Sequence, residues 1–278
     1  MSLNLFKYHT NPETITGFDQ VMNSVPHLAW DHFEDNHEEL RKREHVWAKS
    51  AGHSYLYAAD VLGGRFEKGE DAIATDAGAS YTYAASVLGG RFVRGEDAIA
   101  TDAEYSLYYA NDILRGKRFV KGEDAIATDA EYSLYYAKDI LRGKRFEKGE
   151  DAIATNAQYS YEYAKDVLSG KRFEKGEDAI ATSAGFSYYY AKDVLDGERV
   201  EKFEDAIATS AQYSYWYARE VLKGKRVEKI EDAIATDAVY SYEYVITVLK
   251  GERFEKGEDA IRGSEYKERY EELTGVKL

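Results

Sequence analysis

Between residues 54 and 261 the chain repeats one segment of about 27 residues eight times; a clean copy, residues 149–175, reads GEDAIATNAQYSYEYAKDVLSGKRFEK. A unit this short cannot enclose a core alone, so neighbouring copies must stack to bury their apolar faces. The fold expected is all-α: a right-handed α-solenoid of about eight two-helix repeats, with an N-terminal helical cap over residues 1–50, repeats over 51–261 and a C-terminal capping helix over 262–278. Such a stack offers a long surface rather than one catalytic cleft.

Within each copy, glycines and capping signals separate two segments of helical periodicity, a short helix and a longer one. Thr128 with Glu131, Thr101 with Glu104, Thr155 with Gln158 and Thr209 with Gln212 fit the capping-box spacing, which predicts that the long helix starts at the threonine. Gly116, Gly143, Gly170, Gly197, Gly224 and Gly251 follow its far end, where a left-handed residue closes a helix. The short helix is expected around Glu150-Asp151-Ala152-Ile153-Ala154, with Phe146 packed before it. Between Glu70 and Glu96 the step is 26 residues rather than 27, because Gly63-Gly64-Arg65 is one residue shorter than Gly116-Lys117-Arg118.

Positions that do not vary between copies mark the buried stripe. Ser133, Tyr136, Ala137, Ile140 and Leu141 lie on one helical face. Tyr57, Tyr83, Tyr109, Tyr136, Tyr163, Tyr190, Tyr217 and Tyr244 form an unbroken column that reads as packing, not catalysis. A second column runs from Arg65 to Arg253, each arginine a few residues before the Glu-Asp pair, and predicts an arginine–carboxylate bridge. In the alternative reading, Arg118, Arg145, Arg172, Arg199 and Arg226 bind a nucleotide or other small anion.

Two positions do vary. Two residues after the repeated serine stand Leu56, Thr82, Tyr108, Tyr135, Glu162, Tyr189, Trp216 and Glu243. Three residues later stand Ala59, Ala85, Asn111, Lys138, Lys165, Lys192, Arg219 and Ile246. They share one helix face, and a face that changes from copy to copy is where a solenoid recognises its partner. The candidate partner-binding residues are therefore Tyr108, Tyr135, Lys138, Tyr189, Lys192, Trp216 and Arg219, with Trp216 read as exposed.

Other features limit the function classes. The chain has no cysteine, so neither a disulfide framework nor a thiolate zinc site can form. Its formal charge of −14 disfavours direct binding to nucleic-acid phosphates, while the interspersed lysines argue against a continuous acidic mimic of DNA. All six histidines, His9, His27, His32, His37, His45 and His53, precede the repeats proper. His27, His32 and His37 are five apart, the wrong spacing for a two-histidine zinc helix, so no metal site is assigned, with or without Asp31 or Glu34. Trp30, Phe33, Leu40, Val46 and Trp47 instead suit a lid on the open end of the stack, and residues 264–273 (SEYKERYEEL) suit a polar lid at the other. No nucleotide-binding signature, catalytic residue or cofactor is read. Residues 1–8 (MSLNLFKY) lack a signal-peptide core and no run could span a bilayer, which predicts a cytoplasmic protein.

The pattern A-x-Y-S-Y-x-Y-A-x-x-V-L-x-G-x-R-F-E-x-G-E-x-A-I at residues 157–180 resembles tandem repeats in uncharacterised proteins of tailed bacteriophages and bacteria. The resemblance covers residues 54–261 and implies helical repeats and a phage or bacterial origin; Ala103 and Phe119 stand where those proteins often carry Pro and Trp. The function expected is a non-enzymatic scaffold that binds a protein, in a bacterial host cell if phage-encoded, where it would inhibit or sequester a host or defence protein. A sponge for a nucleotide or small anion and an acidic decoy of DNA are the alternatives. Oligomeric state is not legible.

Overall fold

The computed structural model describes residues 26–278; His9 and residues 1–8 lie outside them. Among the described residues every regular element is helical. The chain divides into two compact units, one ending at Ile126 and one spanning Ala127–Leu278, and each is an α-solenoid of paired helices.

In the first unit, cap helices Pro26–Phe33, His37–Lys42 and Glu44–Trp47 precede the repeats. A long helix begins as Ala51–Leu56 and continues through a wide π turn, Tyr57–Leu62; a 3-10 turn, Glu67–Gly69, then leads into the short helix Glu70–Ile73. The second unit repeats this scheme at Ala130–Tyr135, Tyr136–Ile140, Glu147–Gly149 and Glu150–Ile153. Later long helices, Ala184–Asp193, Ala211–Glu220 and Ala238–Thr247, run as continuous α-helix.

The long helix starts one residue later than the capping-box reading places it. Asp76, Asp102, Asp129, Asn156, Ser183, Ser210 and Asp237 are the N-caps, their side chains accepting hydrogen bonds from backbone N–H groups two or three residues on. The preceding threonine closes the short helix instead: Thr155 Oγ1 donates to the Ala152 carbonyl at 2.7 Å, and Thr75, Thr101, Thr182, Thr209 and Thr236 do the same in their copies. Two adjacent capping-type residues thus divide the corner, one for each helix end.

The core of every copy is a layered contact between long and short helix. The repeated serine is fully buried and its hydroxyl donates to the carbonyl seven residues back, as from Ser160 to Ile153 at 3.0 Å. In six of the eight copies a glycine that admits no side chain lies against it: a Cβ on Gly149 would meet Ser133 Oγ at 2.4 Å and the Phe146 ring at 2.7 Å. Ile153 is fully buried beneath the same layer, a burial that favours folding by about 1.5–3 kcal/mol.

Arg145 bonds to both oxygens of Glu150, and the equivalent pair recurs from Arg65–Glu70 to Arg253–Glu258. Glu150 is buried whereas Arg145 keeps about half its side chain in water, so the bond satisfies a buried charge without burying both ions. From the next long helix, Tyr163 donates its hydroxyl to Glu150 at 3.1 Å and accepts the Phe146 N–H at 2.9 Å. One phenol therefore joins two successive layers. The column expected from sequence is this buried seam.

The segments that flank the repeats on either side imitate the seam. In the cap helix Glu44–Trp47, Trp47 takes the place of the short-helix isoleucine: it is fully buried, and its carbonyl accepts the Ser54 hydroxyl at 2.6 Å. Helix Lys267–Thr274 supplies Tyr270, which donates to Glu258 at 2.9 Å and accepts from the Phe254 N–H at 3.1 Å. The terminal layers thus receive the partners that a further repeat would have provided.

Candidate protein-interaction face

The outer face of the long helices is built from residues just before and just after the buried serine. In the second unit these side chains form a contiguous aromatic group. Tyr161 lies 6.0 Å from Phe186 and 6.1 Å from Tyr189, between ring centroids. Tyr188 lies 5.1 Å from Tyr189, 6.0 Å from Tyr213 and 5.8 Å from Trp216, and the Tyr213–Trp216 pair meets edge to face at 5.5 Å.

Sequence reasoning placed Tyr189 and Trp216 on this face; the structure joins them through Tyr188 and Tyr213. It also corrects the reading of Trp216 as exposed. The indole is half-buried, because Tyr188 and Tyr213 cover part of its ring. Its N–H has no hydrogen-bond acceptor among the described residues. Tyr135, also in the second unit, is 38% exposed. Tyr108, equally exposed, belongs to the first unit, where it packs 5.9 Å from Tyr81.

The lysines beside these rings are tied to carboxylates of the next repeat, and Arg219 to the adjacent Glu220. Lys138 reaches Asp166 at 2.7 Å, and Lys192 reaches Glu220 at 3.0 Å. Arg219 pairs with Glu220 at 2.5 Å and donates to the Tyr215 hydroxyl at 3.0 Å. Lys165, on the same column, donates to Tyr161 at 2.9 Å, and Tyr161 in turn donates to Asp193 at 2.7 Å. Burial works against ionisation of Glu220, but hydrogen bonds from Tyr188, Arg219 and Lys192 outweigh it and hold its carboxyl down at about 2. Burial, reinforced by the bond to Glu220, pushes the Tyr188 hydroxyl up to about 12. At neutral pH this ladder is fixed and nearly charge-balanced, so contact area comes chiefly from the rings.

Tyr161, Tyr188 and Tyr215 follow the serine directly and were not singled out from sequence. Their signal was there, since Tyr also follows Ser54, Ser80 and Ser241. Tyr161, Tyr188 and Tyr215 are all buried, so they form the packed layer beneath the face rather than its accessible surface.

The alternative anion-binding arginines are engaged within their own copies: Arg118 with Glu123 at 2.6 Å, Arg172 with Glu177, Arg199 with Glu204 and Arg226 with Glu231, each at 2.5 Å. Arg145 is held by Glu150 in the same way. A groove of about 480 Å³ beside Arg199 is also lined by Glu201, Glu204, Glu228 and Asp232. Among the described residues no group of three or more histidine, aspartate or glutamate side chains is placed to hold a metal, and no helix is long and apolar enough to cross a membrane. Comparison with protein-family models, curated proteins and solved structures gives no match to this chain.

Proposed function

We propose that this protein is a non-enzymatic helical-repeat scaffold that binds a protein partner through the outer face of its long helices, centred on Tyr189 and Trp216. The observation that carries this reading is the group of half-buried rings Phe186, Tyr189, Tyr213 and Trp216, backed by the buried rings of Tyr161 and Tyr188, on a face whose residues change from copy to copy. Rings locked against one another present large area at little entropic cost, the property that makes Tyr and Trp effective at interfaces. The resemblance to phage and bacterial tandem repeats adds a setting, a phage-encoded factor that occupies a host or defence protein in the bacterial cytoplasm.

The test compares the wild-type chain with a Tyr135→Ala, Tyr189→Ala, Trp216→Ala triple variant, each immobilised and exposed to bacterial lysate. The reading predicts that a protein captured by the wild type is lost from the variant while the variant's helical circular dichroism persists. Equal capture by both would remove this face from the account.

A further inference from the structure

A notch of about 440 Å³ lies between the C-terminal turns of helices Ala211–Glu220 and Ala238–Thr247, lined by Arg219, Lys223, Gly224, Thr247, Val248 and Lys250. It adjoins the aromatic group, because Arg219 follows Trp216 by three residues and so shares its helix face. Its charge lining differs from that of two other grooves. The groove beside Arg199 mixes acids with cations, and one of about 330 Å³ in the first unit holds Arg65, Arg91 and Arg94. All three of those arginines are bound to carboxylates. No carboxylate lines the notch. Arg219 is paired with Glu220 at its rim, Lys250 donates only to the Thr247 carbonyl at 2.6 Å, and Lys223 makes no ion pair among the described residues.

Lys223 and Lys250 occupy the left-handed residue before the turn glycine, at φ 50° and 55°. The same position is Arg115 and Arg142 in two earlier copies but Ser169 and Asp196 in the two copies directly before Lys223, so the adjacent copies do not extend the basic character on that side. A side chain other than Gly or Asn in this conformation costs about 1 kcal/mol, and lysine does nothing to reduce that cost. What it adds is a cation at the notch.

We propose that the partner segment bound by the outer face is acidic: apolar side chains pack on Tyr189, Tyr213 and Trp216 while neighbouring carboxylates sit in the notch of Arg219, Lys223 and Lys250. This inference rests on the reading of the outer face as a protein-binding surface. Although the chain carries a formal charge of −14, charges beyond about 8 Å are screened at physiological salt, which leaves the local cations to set the preference.

Fluorescence anisotropy tests it with three labelled twelve-residue probes that share alternating Leu and Phe: one filled in with Glu, one with Gln and one with Lys. The Glu probe should bind about tenfold more tightly than the Gln probe, and the margin should shrink as salt is added. The Lys223→Asn, Lys250→Asn double variant, which removes both charges but keeps a residue suited to the left-handed conformation, should erase that margin and leave Gln-probe binding unchanged. Equal affinities for Glu and Gln probes, a preference for Lys, or a margin that survives the double variant would overturn the inference. So would full displacement of the Glu probe by millimolar inorganic phosphate, since the notch would then be a free-anion site. Failure of the parent reading looks different: the Glu preference would persist while Tyr189→Ala, Trp216→Ala left all affinities unaltered.

Discussion

The buried seam and the outer face belong to the same helices, yet they tolerate change very differently. Along the seam, serine, tyrosine, arginine and glutamate recur in every copy, each held by a bond the others depend on. Across the outer face, one position is occupied by Leu, Thr, Tyr, Glu or Trp. The seam makes one exception, and it shows what the contact requires. In two copies the Phe–Gly pair of Phe146 and Gly149 becomes Val200–Phe203 and Val227–Ile230. The large side chain has moved three residues, one helical turn, yet Phe203 still meets Tyr190 edge to face at 5.6 Å, as Phe146 meets Tyr136 at 5.0 Å. The 3-10 turn there gives way to one continuous helix, Glu201–Ile207. What recurs is a filled volume beside the tyrosine, with small and large residues in complementary places.

The sharpest way to break this contrast is at that pair. Gly149→Phe alone drives a ring into Ser133 and Phe146 and should destabilise the protein by about 3 kcal/mol or more, read as a lowered denaturant midpoint. Phe146→Val with Gly149→Phe copies the exchange at residues 200 and 203 and should restore most of the loss. A double variant no more stable than Gly149→Phe would show that the two arrangements are not interchangeable.

A smaller effect tests the ion pair. Arg145→Ala leaves Glu150 buried with the Tyr163 hydroxyl at 3.1 Å and the distant Lys175 ammonium at 3.9 Å, and should cost about 3 kcal/mol. Glu150→Gln keeps an acceptor for Tyr163 and leaves Arg145 able to hydrate, so it should cost about 1 kcal/mol. The more exposed member of the pair is thus predicted to be the more costly to remove; the reverse order in urea titrations would contradict the reading.

Close behind, per group, come the pH effects. Burial pushes Tyr109, Tyr190 and Tyr270 up from 10.0 to about 12. A raised folded-state value means their stabilisation is complete below pH 10 and is lost as pH rises through about 12. Tyrosinate absorbance from the column should therefore appear together with loss of helical circular dichroism. Ionisation of every tyrosine near pH 10 with the fold intact would refute it. At the acid end, the hydrogen bond from Arg253 lowers Glu258 from its ordinary 4.5, and Glu220 is held at about 2. Their contribution is present above about pH 4.5 and falls away with acidification, for Glu220 as pH falls through about 2.

The smallest stability effects belong to the outer face. Tyr189→Ala should lower stability by about 1 kcal/mol or less, since its half-buried ring loses neighbours without leaving a sealed cavity.

Much of the seam was legible because repetition exposes constraint: the tyrosine and arginine columns, the turn glycines and the two-helix unit all follow from comparing copies of the chain with one another. The serine's partner was not legible, since a hydroxyl bonding seven residues back depends on how two helices meet. Nor was the division of labour between Thr155 and Asn156, two adjacent residues that each have capping chemistry. Trp47 and Tyr270 were placed in caps, but their roles as stand-ins for Ile and Tyr of the repeat emerge only from the contacts they make. On the outer face the variable columns were visible, while the rings that knit Tyr189 to Trp216 were hidden among the abundant tyrosines of the core.

The most direct test of the account as a whole places a photo-reactive phenylalanine analogue at one position at a time in the full chain, irradiated in bacterial lysate. Positions 189 and 216 sample the outer face; positions 151 and 205, where exposed aspartates pair with lysines of the next copy, sample the opposite edge of the repeat. The account predicts adducts with one and the same protein from 189 and 216 and none from 151 or 205. Adducts confined to 151 and 205, or formed equally at all four positions, would contradict it.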